Sequence, residues 1–338
     1  MSGPEGPLAV SLGDPAGVGP ELIAEAWARR DALRLPPFLA AGGAGLLRAA
    51  AAARGIDLAV AQIAHPDEAA AVFAHALPVL GNDDARYAPG SPDSDGARFA
   101  LASLAQAARL VADGLADAIV TGPIAKSRLA QVGFTHPGQT EFVAAACGVP
   151  PGDAVMMLAG PSLRTVPLTV HVALADVPRL VTAALIERKG AIVAEALIRD
   201  FGIAAPRLAI AALNPHAGED GRMGDEDTRI IAPAIAALRD RGIDATGPHP
   251  ADALFAPHAR GGYDVALCMY HDQALIPIKA LDFDEGVNVT LGLPVIRTSP
   301  DHGTAFAIAG KRLAHSGAMI AAIRMAGECA VRRWGPHG

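Results

Sequence analysis

Cysteine is scarce in this chain: three among 338 residues (Cys147, Cys268 and Cys329), with no short paired spacing. That excludes a disulfide-built scaffold and a cysteine zinc site, and leaves each thiol to act as a small buried hydrophobe. Aromatic residues make up 4% of a chain that is 51% hydrophobic. The core must therefore be filled by alanine and branched aliphatics, and alanine-rich helices form cheaply because alanine loses no side-chain entropy. No apolar run approaches the roughly 20 residues of a membrane span. The runs near Ala49–Ala53 and Ala204–Leu213 are broken by Arg54 and Arg207. The start, Met1 to Pro7, has neither the basic segment nor the apolar stretch of a secretory signal. A cytoplasmic protein that does not engage a membrane is the expectation. Positive charge is also short, with 28 Lys and Arg against 35 Asp and Glu and a net charge of -7. Without a basic stripe, nucleic acid is disfavoured as a partner.

What the chain does contain is strand-like and helix-like segments in alternation, over a length sufficient for two domains. Leu8–Leu12, Phe38–Gly42, Leu58–Ile63, Ala76–Leu80, Ala116–Thr121, Val155–Ala159, Thr165–Val170 and Leu208–Leu213 read as strands. Helices are predicted over Glu21–Arg30, Gly96–Asp113, Asp176–Phe201 with Asp176 as N-cap, and Glu226–Arg241. This pattern predicts an α/β fold with a largely parallel sheet. The turn after the first strand carries Gly13, Gly17 and Gly19. That spacing is not GxGxxG, nor does it hold the Lys-Ser/Thr of a P-loop, so a tight structural turn and a phosphate-facing turn both stay open. Lys126, at the end of another strand, reads either as an anion contact or as a solvated lysine.

The densest chemistry lies between Asp264 and Gly303. An apolar run ends at Tyr270 and gives way to His271-Asp272-Gln273, where the strand is expected to turn and stop. Lys279, Asn288, Arg297 and Asp301-His302-Gly303-Thr304 follow. Open parallel sheets bind ligands at the carboxyl ends of their strands. His171, His216 and His271 each stand at or just after an apolar run. Three imidazoles with an open fourth position form a recognised catalytic arrangement for zinc and related divalent ions. Their spacing is not that of a zinc finger or of a helical His-x-x-x-His pair, so convergence depends on the fold. Gln139 and Thr140 lie where a helix begins, suited either to an anion or to plain capping.

Several of these stretches resemble one family. Gly13-Asp14-Pro15-Ala16-Gly17-Val18-Gly19-Pro20-Glu21, Thr121-Gly122-Pro123, Asn214-Pro215-His216-Ala217-Gly218-Glu219, Tyr270-His271-Asp272-Gln273 and Gly286-Val287-Asn288-Val289-Thr290-Leu291-Gly292-Leu293-Pro294 are similar to the 4-hydroxythreonine-4-phosphate dehydrogenases of vitamin B6 synthesis. The likeness runs from about Leu8 to Gly310. It implies two α/β/α domains with a cleft between them, related to isocitrate and isopropylmalate dehydrogenases. Residues 1–135 plus 305–338 would form the first domain, and residues 136–304 the second, which carries most of the metal and substrate residues. It further implies a homodimer with the active site at the subunit interface, NAD as cofactor, and a divalent metal such as zinc, magnesium or cobalt. By the same resemblance His171, His216 and His271 are metal ligands drawn from both subunits. Gln139, Thr140, Lys279, Asn288 and Arg297 contact a small phosphorylated substrate, and Asp301, His302, Gly303 and Thr304 lie against the cofactor. Lys279 and Asp272 are the candidate bases. The implied reaction oxidises 4-phosphooxy-L-threonine to 2-amino-3-oxo-4-phosphooxybutanoate, which decarboxylates to 3-amino-2-oxopropyl phosphate. Gln139 stands where the family's motif has histidine, with His136 three residues earlier, and Ala307 stands where an acidic residue is common. The alternatives are a threonate or erythronate 4-phosphate dehydrogenase of the same family, a phosphate acyltransferase, and a metal-binding protein without catalysis.

Overall fold

The computed structural model describes residues 6–335; Met1–Glu5, part of the start considered above, lie outside the described residues. Among the described residues are twelve strands: β1 (Leu8–Ser11), β2 (Phe38–Ala41), β3 (Val60–Ile63), β4 (Leu77–Leu80), β5 (Ala118–Thr121), β6 (Val155–Ala159), β7 (Arg164–Pro167), β8 (Arg207–Ala211), β9 (Asp244–His249), β10 (Val265–Cys268), β11 (Val287–Leu291) and β12 (Ile296–Pro300). The chain divides into two compact units, Met1–Ala154 with Leu293–Gly338, and Val155–Gly292.

In the first unit the strand order is β3-β4-β2-β1-β5-β12, and every pair within it is parallel. β1 is buried throughout, as strands covered on both faces must be. The helix Ser94–Ala112 is capped by Asp93, whose carboxylate accepts from the Gly96 amide at 2.7 Å. A cap of this kind stabilises a helix by about 1 kcal/mol. Ala97, Ala100, Ala107 and Ala108 of this helix lie in one core cluster with Ala9, Leu39 and Ile119 from the strands. These short side chains fill the small-residue core that the scarcity of aromatics demanded.

The second unit has the order β11-β6-β7-β10-β8-β9. β7, β10, β8 and β9 run parallel, whereas β6 is antiparallel to both β11 and β7. The reversal follows from connection length. β6 and β7 are joined by four residues, closed by the Gly160 amide on the Leu163 carbonyl at 2.9 Å, and a parallel crossover needs a dozen or more.

Three expectations are corrected. The units meet the chain at 154/155 and 292/293, not at 135/136 and 304/305. Phe134, Val143 and Ala144 belong to the core cluster of the first unit, and β12 pairs with β5, so both segments are held by that unit. The helix predicted from Asp176 breaks at Val181. A short helix, Val177–Leu180, precedes a separate one, Ala183–Phe201, whose N-cap is Thr182 accepting from the Leu185 amide at 3.2 Å. The segment Glu226–Arg241 opens as a π-helix, Asp227–Ile231, before the α-helix Ala232–Asp240.

Candidate functional site

In the second unit the three histidines follow three neighbouring strands. His171 comes after β7, His271 after β10 and His216 after β8, and β10 lies between the other two in the sheet. The ends of these strands are laced together. The Thr169 hydroxyl donates to the Met269 carbonyl at 2.8 Å. Gln273 accepts from the Met269 amide at 2.7 Å and donates to the Ala212 carbonyl at 2.8 Å. Gln273 is thus a structural pin between β10 and β8, although the sequence grouped it with the polar site residues.

His271 opens the helix His271–Leu281 directly, where the sequence suggested a turn. The ring centroids of His171 and His271 lie 5.5 Å apart. Two imidazoles on one tetrahedral ion, each nitrogen about 2.1 Å from it, hold their centroids about 5 Å apart. The pair therefore fits a shared divalent cation. Asp272 Oδ1 sits 2.7 Å from His271 Nδ1; with Nδ1–H donating to the carboxylate, Nε2 keeps its lone pair for a cation, as carboxylate-oriented ligand histidines require. His216 lies in the turn after Asn214, exposed. His171 and His216 both take left-handed backbone, each with φ 52°, a region that costs a non-glycine residue about 1 kcal/mol or more. Among the described residues of a single chain, no group of three histidine, cysteine or carboxylate side chains is placed to hold a metal. One chain brings His171 and His271 together but does not add His216 as a third ligand.

Lys279 lies two turns after Asp272, seven residues on, so the two share one face of the helix His271–Leu281. Asn288 sits on β11, its Oδ1 buried without a hydrogen-bond partner in the described residues.

The first unit holds the other expected substrate residues. Arg297 on β12 is 3% exposed. Its Nη2 donates to Thr121 Oγ1 at 2.7 Å and to Gln139 Oε1 at 3.2 Å, and its Nη1 donates to Thr140 Oγ1 at 3.3 Å. Burial pushes the Arg297 pKa down to about 10 while the Glu141 carboxylate pulls it up, so the group remains a cation at neutral pH. Gln139 also donates to the Gly122 carbonyl at 2.9 Å. Gln139 and Thr140 open the helix Gln139–Ala146 but do not cap it; their side chains hold the guanidinium. A Cβ on Gly138 would stand 3.4 Å from Lys126 Nζ and 3.0 Å from Glu141 Oε2, so Lys126 leans on the same helix start. His136 is packed against Phe134 and Phe142, with ring centroids 5.7 and 5.3 Å away.

The glycine-rich turn after β1 is shaped by the protein itself. A Cβ on Gly13 would fall 2.3 Å from the Pro123 carbonyl oxygen, and one on Gly17 would fall 2.8 Å from the Thr304 carbonyl oxygen. The Val18 amide donates to that same Thr304 carbonyl at 3.0 Å. These glycines allow close backbone approach, and the turn supports Asp301-His302-Gly303-Thr304. In that segment His302 Nε2 is buried without a hydrogen-bond partner in the described residues, while its Nδ1 lies 3.0 Å from the Gly303 carbonyl oxygen. An enclosed ring nitrogen with unspent hydrogen-bonding capacity suits a polar cofactor. Thr121, which grips Arg297, was visible in the sequence within Thr-Gly-Pro but had no assigned role. Asp227, which organises the His216 turn, and the half-buried Lys189 gave no sequence signal beyond their residue type.

A largely parallel α/β fold, with imidazoles after the strands of one unit and a buried arginine among amide and hydroxyl groups in the other, has the features of an enzyme acting on a small anionic substrate. The chain belongs to the 4-hydroxythreonine-4-phosphate dehydrogenase family, the pyridoxal phosphate biosynthetic protein PdxA family, whose model matches residues 35–326. It is 63% identical over 333 residues to 4-hydroxythreonine-4-phosphate dehydrogenase of Erythrobacter litoralis, covering 98% of this chain and 99% of the relative. Identity to the same enzyme of Zymomonas mobilis is 52% over 328 residues, covering 97% and 96%. The crystal structure of 4-hydroxythreonine-4-phosphate dehydrogenase from Klebsiella pneumoniae matches with a TM-score of 0.85 at 37% identity, covering 96% of this chain and 99% of that one. Family membership makes the chain an oxidoreductase of pyridoxal phosphate biosynthesis that uses a nicotinamide cofactor, and sets aside the acyltransferase and non-catalytic readings. No helix among the described residues is long and apolar enough to cross a membrane.

Proposed function

We propose that this protein oxidises the secondary hydroxyl of 4-phosphooxy-L-threonine with NAD, giving 2-amino-3-oxo-4-phosphooxybutanoate, NADH and a proton. The β-keto acid then loses CO₂ to leave 3-amino-2-oxopropyl phosphate. The observation that carries the metal-assisted form of this reaction is the His171–His271 pair, 5.5 Å apart at the ends of adjacent parallel strands. His171, His216 and His271 hold a divalent ion (zinc, magnesium or cobalt), and the set is completed across a homodimer. When bound, the ion would supply Lewis-acid polarisation of a substrate oxygen, and NAD would supply the hydride acceptor that no side chain can be.

The protein's own groups do the rest. Asp272 fixes the His271 ring through Nδ1 and so acts as an orienting group. Lys279 takes the hydroxyl proton and returns one to the α-carbon left behind when CO₂ departs. Arg297, held in position by Thr121, Gln139 and Thr140, binds an anionic end of the substrate; a guanidinium suits bidentate recognition of carboxylate or phosphate. Asn288 uses its unspent carboxamide oxygen on the substrate amine or hydroxyl. Asp301, His302, Gly303 and Thr304 line the cofactor.

The test is His216→Ala, assayed for NADH formation with added metal and with chelator. Metal-dependent turnover should disappear while the circular dichroism spectrum is kept. An active variant with a normal metal response would refute the ligand assignment. Running D-threonate 4-phosphate beside 4-phosphooxy-L-threonine separates the two substrates within the family.

A further inference from the structure

The turn that presents His216 is among the most conformationally demanding in the molecule. His216, Ala217, Glu219 and Asp220 all have positive φ, between 42° and 56°, with Gly218 at 81° and Gly221 at 85°. L residues resist this region sterically, so a run of four must be imposed from outside the turn. Glu219 N to the His216 carbonyl at 3.3 Å, Gly221 N to the Gly218 carbonyl at 2.9 Å and Met223 N to the same carbonyl at 3.1 Å fold the turn on itself. None of these bonds fixes it to the sheet.

That attachment comes from one carboxylate. Asp227 is 1% exposed. Its Oδ1 accepts from the Leu213 amide at 2.8 Å, and its Oδ2 accepts from the Asn214 amide at 3.1 Å and from Asn214 Nδ2 at 2.9 Å. Both backbone amides immediately before Pro215-His216 are therefore held by a single side chain, through charge-assisted bonds. Glu226 Oε2 takes Asn214 Nδ2 as well, at 2.8 Å. Gly224 makes room for this: a Cβ there would fall 2.6 Å from both Asn214 Nδ2 and Glu226 Oε2. Asp227 also opens the π-helical segment Asp227–Ile231, and single π turns within helices recur at functional sites.

We infer that Asp227 is the positioning residue of the His216 turn, its carboxylate setting the direction from which that imidazole meets a divalent cation. This rests on the reading of His216 as a ligand. The bland alternative is a carboxylate that tidies a strand end for stability alone, and the two differ in what metal binding reports.

The experiment measures Co²⁺ affinity by equilibrium dialysis and the Co²⁺ d–d absorption of the full-length protein, alongside thermal unfolding in chelator. Asp227→Asn should raise the Co²⁺ dissociation constant by about 10- to 100-fold, the usual effect of losing a group that orients a ligand, and should alter the d–d band. Its unfolding in chelator should move far less than a tenfold affinity loss implies. Asn214→Ala keeps both backbone amides on Asp227 and removes only the side-chain arm, so a several-fold loss is expected. It decides the question if Asp227→Asn fails to fold. Wild-type affinity and spectrum in whichever of these variants folds would overturn the inference. His216→Ala is measured in parallel; unchanged Co²⁺ affinity there would overturn the ligand reading itself, whatever the Asp227 variants show.

Discussion

Replacing Gln139 with glutamate changes one charge and almost no volume beside the arginine proposed to bind the substrate's anionic end. Gln139 Oε1 lies 3.2 Å from Arg297 Nη2, and Arg297 is 3% exposed. A carboxylate in that place would pair with the guanidinium and compete with any anion that needs it. Two unit charges 4 Å apart at an effective dielectric of about 20 interact by about 4 kcal/mol, equivalent to roughly a thousandfold in affinity. Some of this is lost to screening, so the substrate KM in Gln139→Glu should rise by about 100- to 1000-fold. kcat should change far less, because the groups proposed at the reacting carbon are untouched. The lost donor to the Gly122 carbonyl costs about 1–3 kcal/mol of stability, offset by the new ion pair, so the melting temperature should move by only a few degrees. Steady-state NADH formation at saturating NAD supplies KM and kcat, and calorimetry with substrate in the absence of NAD supplies the affinity directly. A KM within threefold of wild type would show that Arg297 is not an anion partner. Gln139→His, which restores the ring usual in the family, should keep KM within about tenfold, since the anion still finds its guanidinium; every tenfold is about 1.4 kcal/mol.

Two further outcomes are expected. Gly17→Ala places a methyl 2.8 Å from the Thr304 carbonyl oxygen; forcing that backbone aside costs about 1–3 kcal/mol, and the KM for NAD should rise while the KM for substrate holds, as read by varying each in turn. Lys189 donates to the Leu168 carbonyl at 2.8 Å, and burial lowers its pKa to about 8. A folded-state pKa below the unfolded one means the unfolded chain binds more protons between about pH 8 and 10.5, so this lysine makes stability rise with pH across that window, by at most about 3 kcal/mol. In Lys189→Met that contribution should vanish. Urea unfolding of both proteins at pH 7, 9 and 10 measures the difference, and parallel profiles would refute it.

The apolar runs exposed strands such as β1, β2, β4, β5 and β10 because every residue in them is buried, and the ends of such runs then pointed to His171, His216 and His271. What stayed hidden depended on contacts made across the sequence. Thr182 rather than Asp176 caps the long helix because the chain turns at Val181, a bend the local pattern does not record. Helix formation starting at His271 was masked because the polar triplet reads equally as a turn. β9 gives no strand signal in the sequence, since its Gly247-Pro248 breaks the apolar pattern. Gln273 and Asp227 are polar residues spent on backbone groups 61 and 13–14 positions away, so their roles could be assigned only from the folded chain. The same holds for Thr121 and Arg297, 176 residues apart.

The left-handed backbone at His171 and His216 sets a limit on anyone who tries to make this enzyme hardier. Glycine at either position would relieve the steric penalty and recover on the order of 1 kcal/mol apiece, so a search guided by melting temperature alone would find both substitutions attractive. Each gain would remove an imidazole that the proposed metal site needs. Arg34, Ala305 and Arg312, with φ of 51°, 48° and 59°, offer the same relief without touching either imidazole.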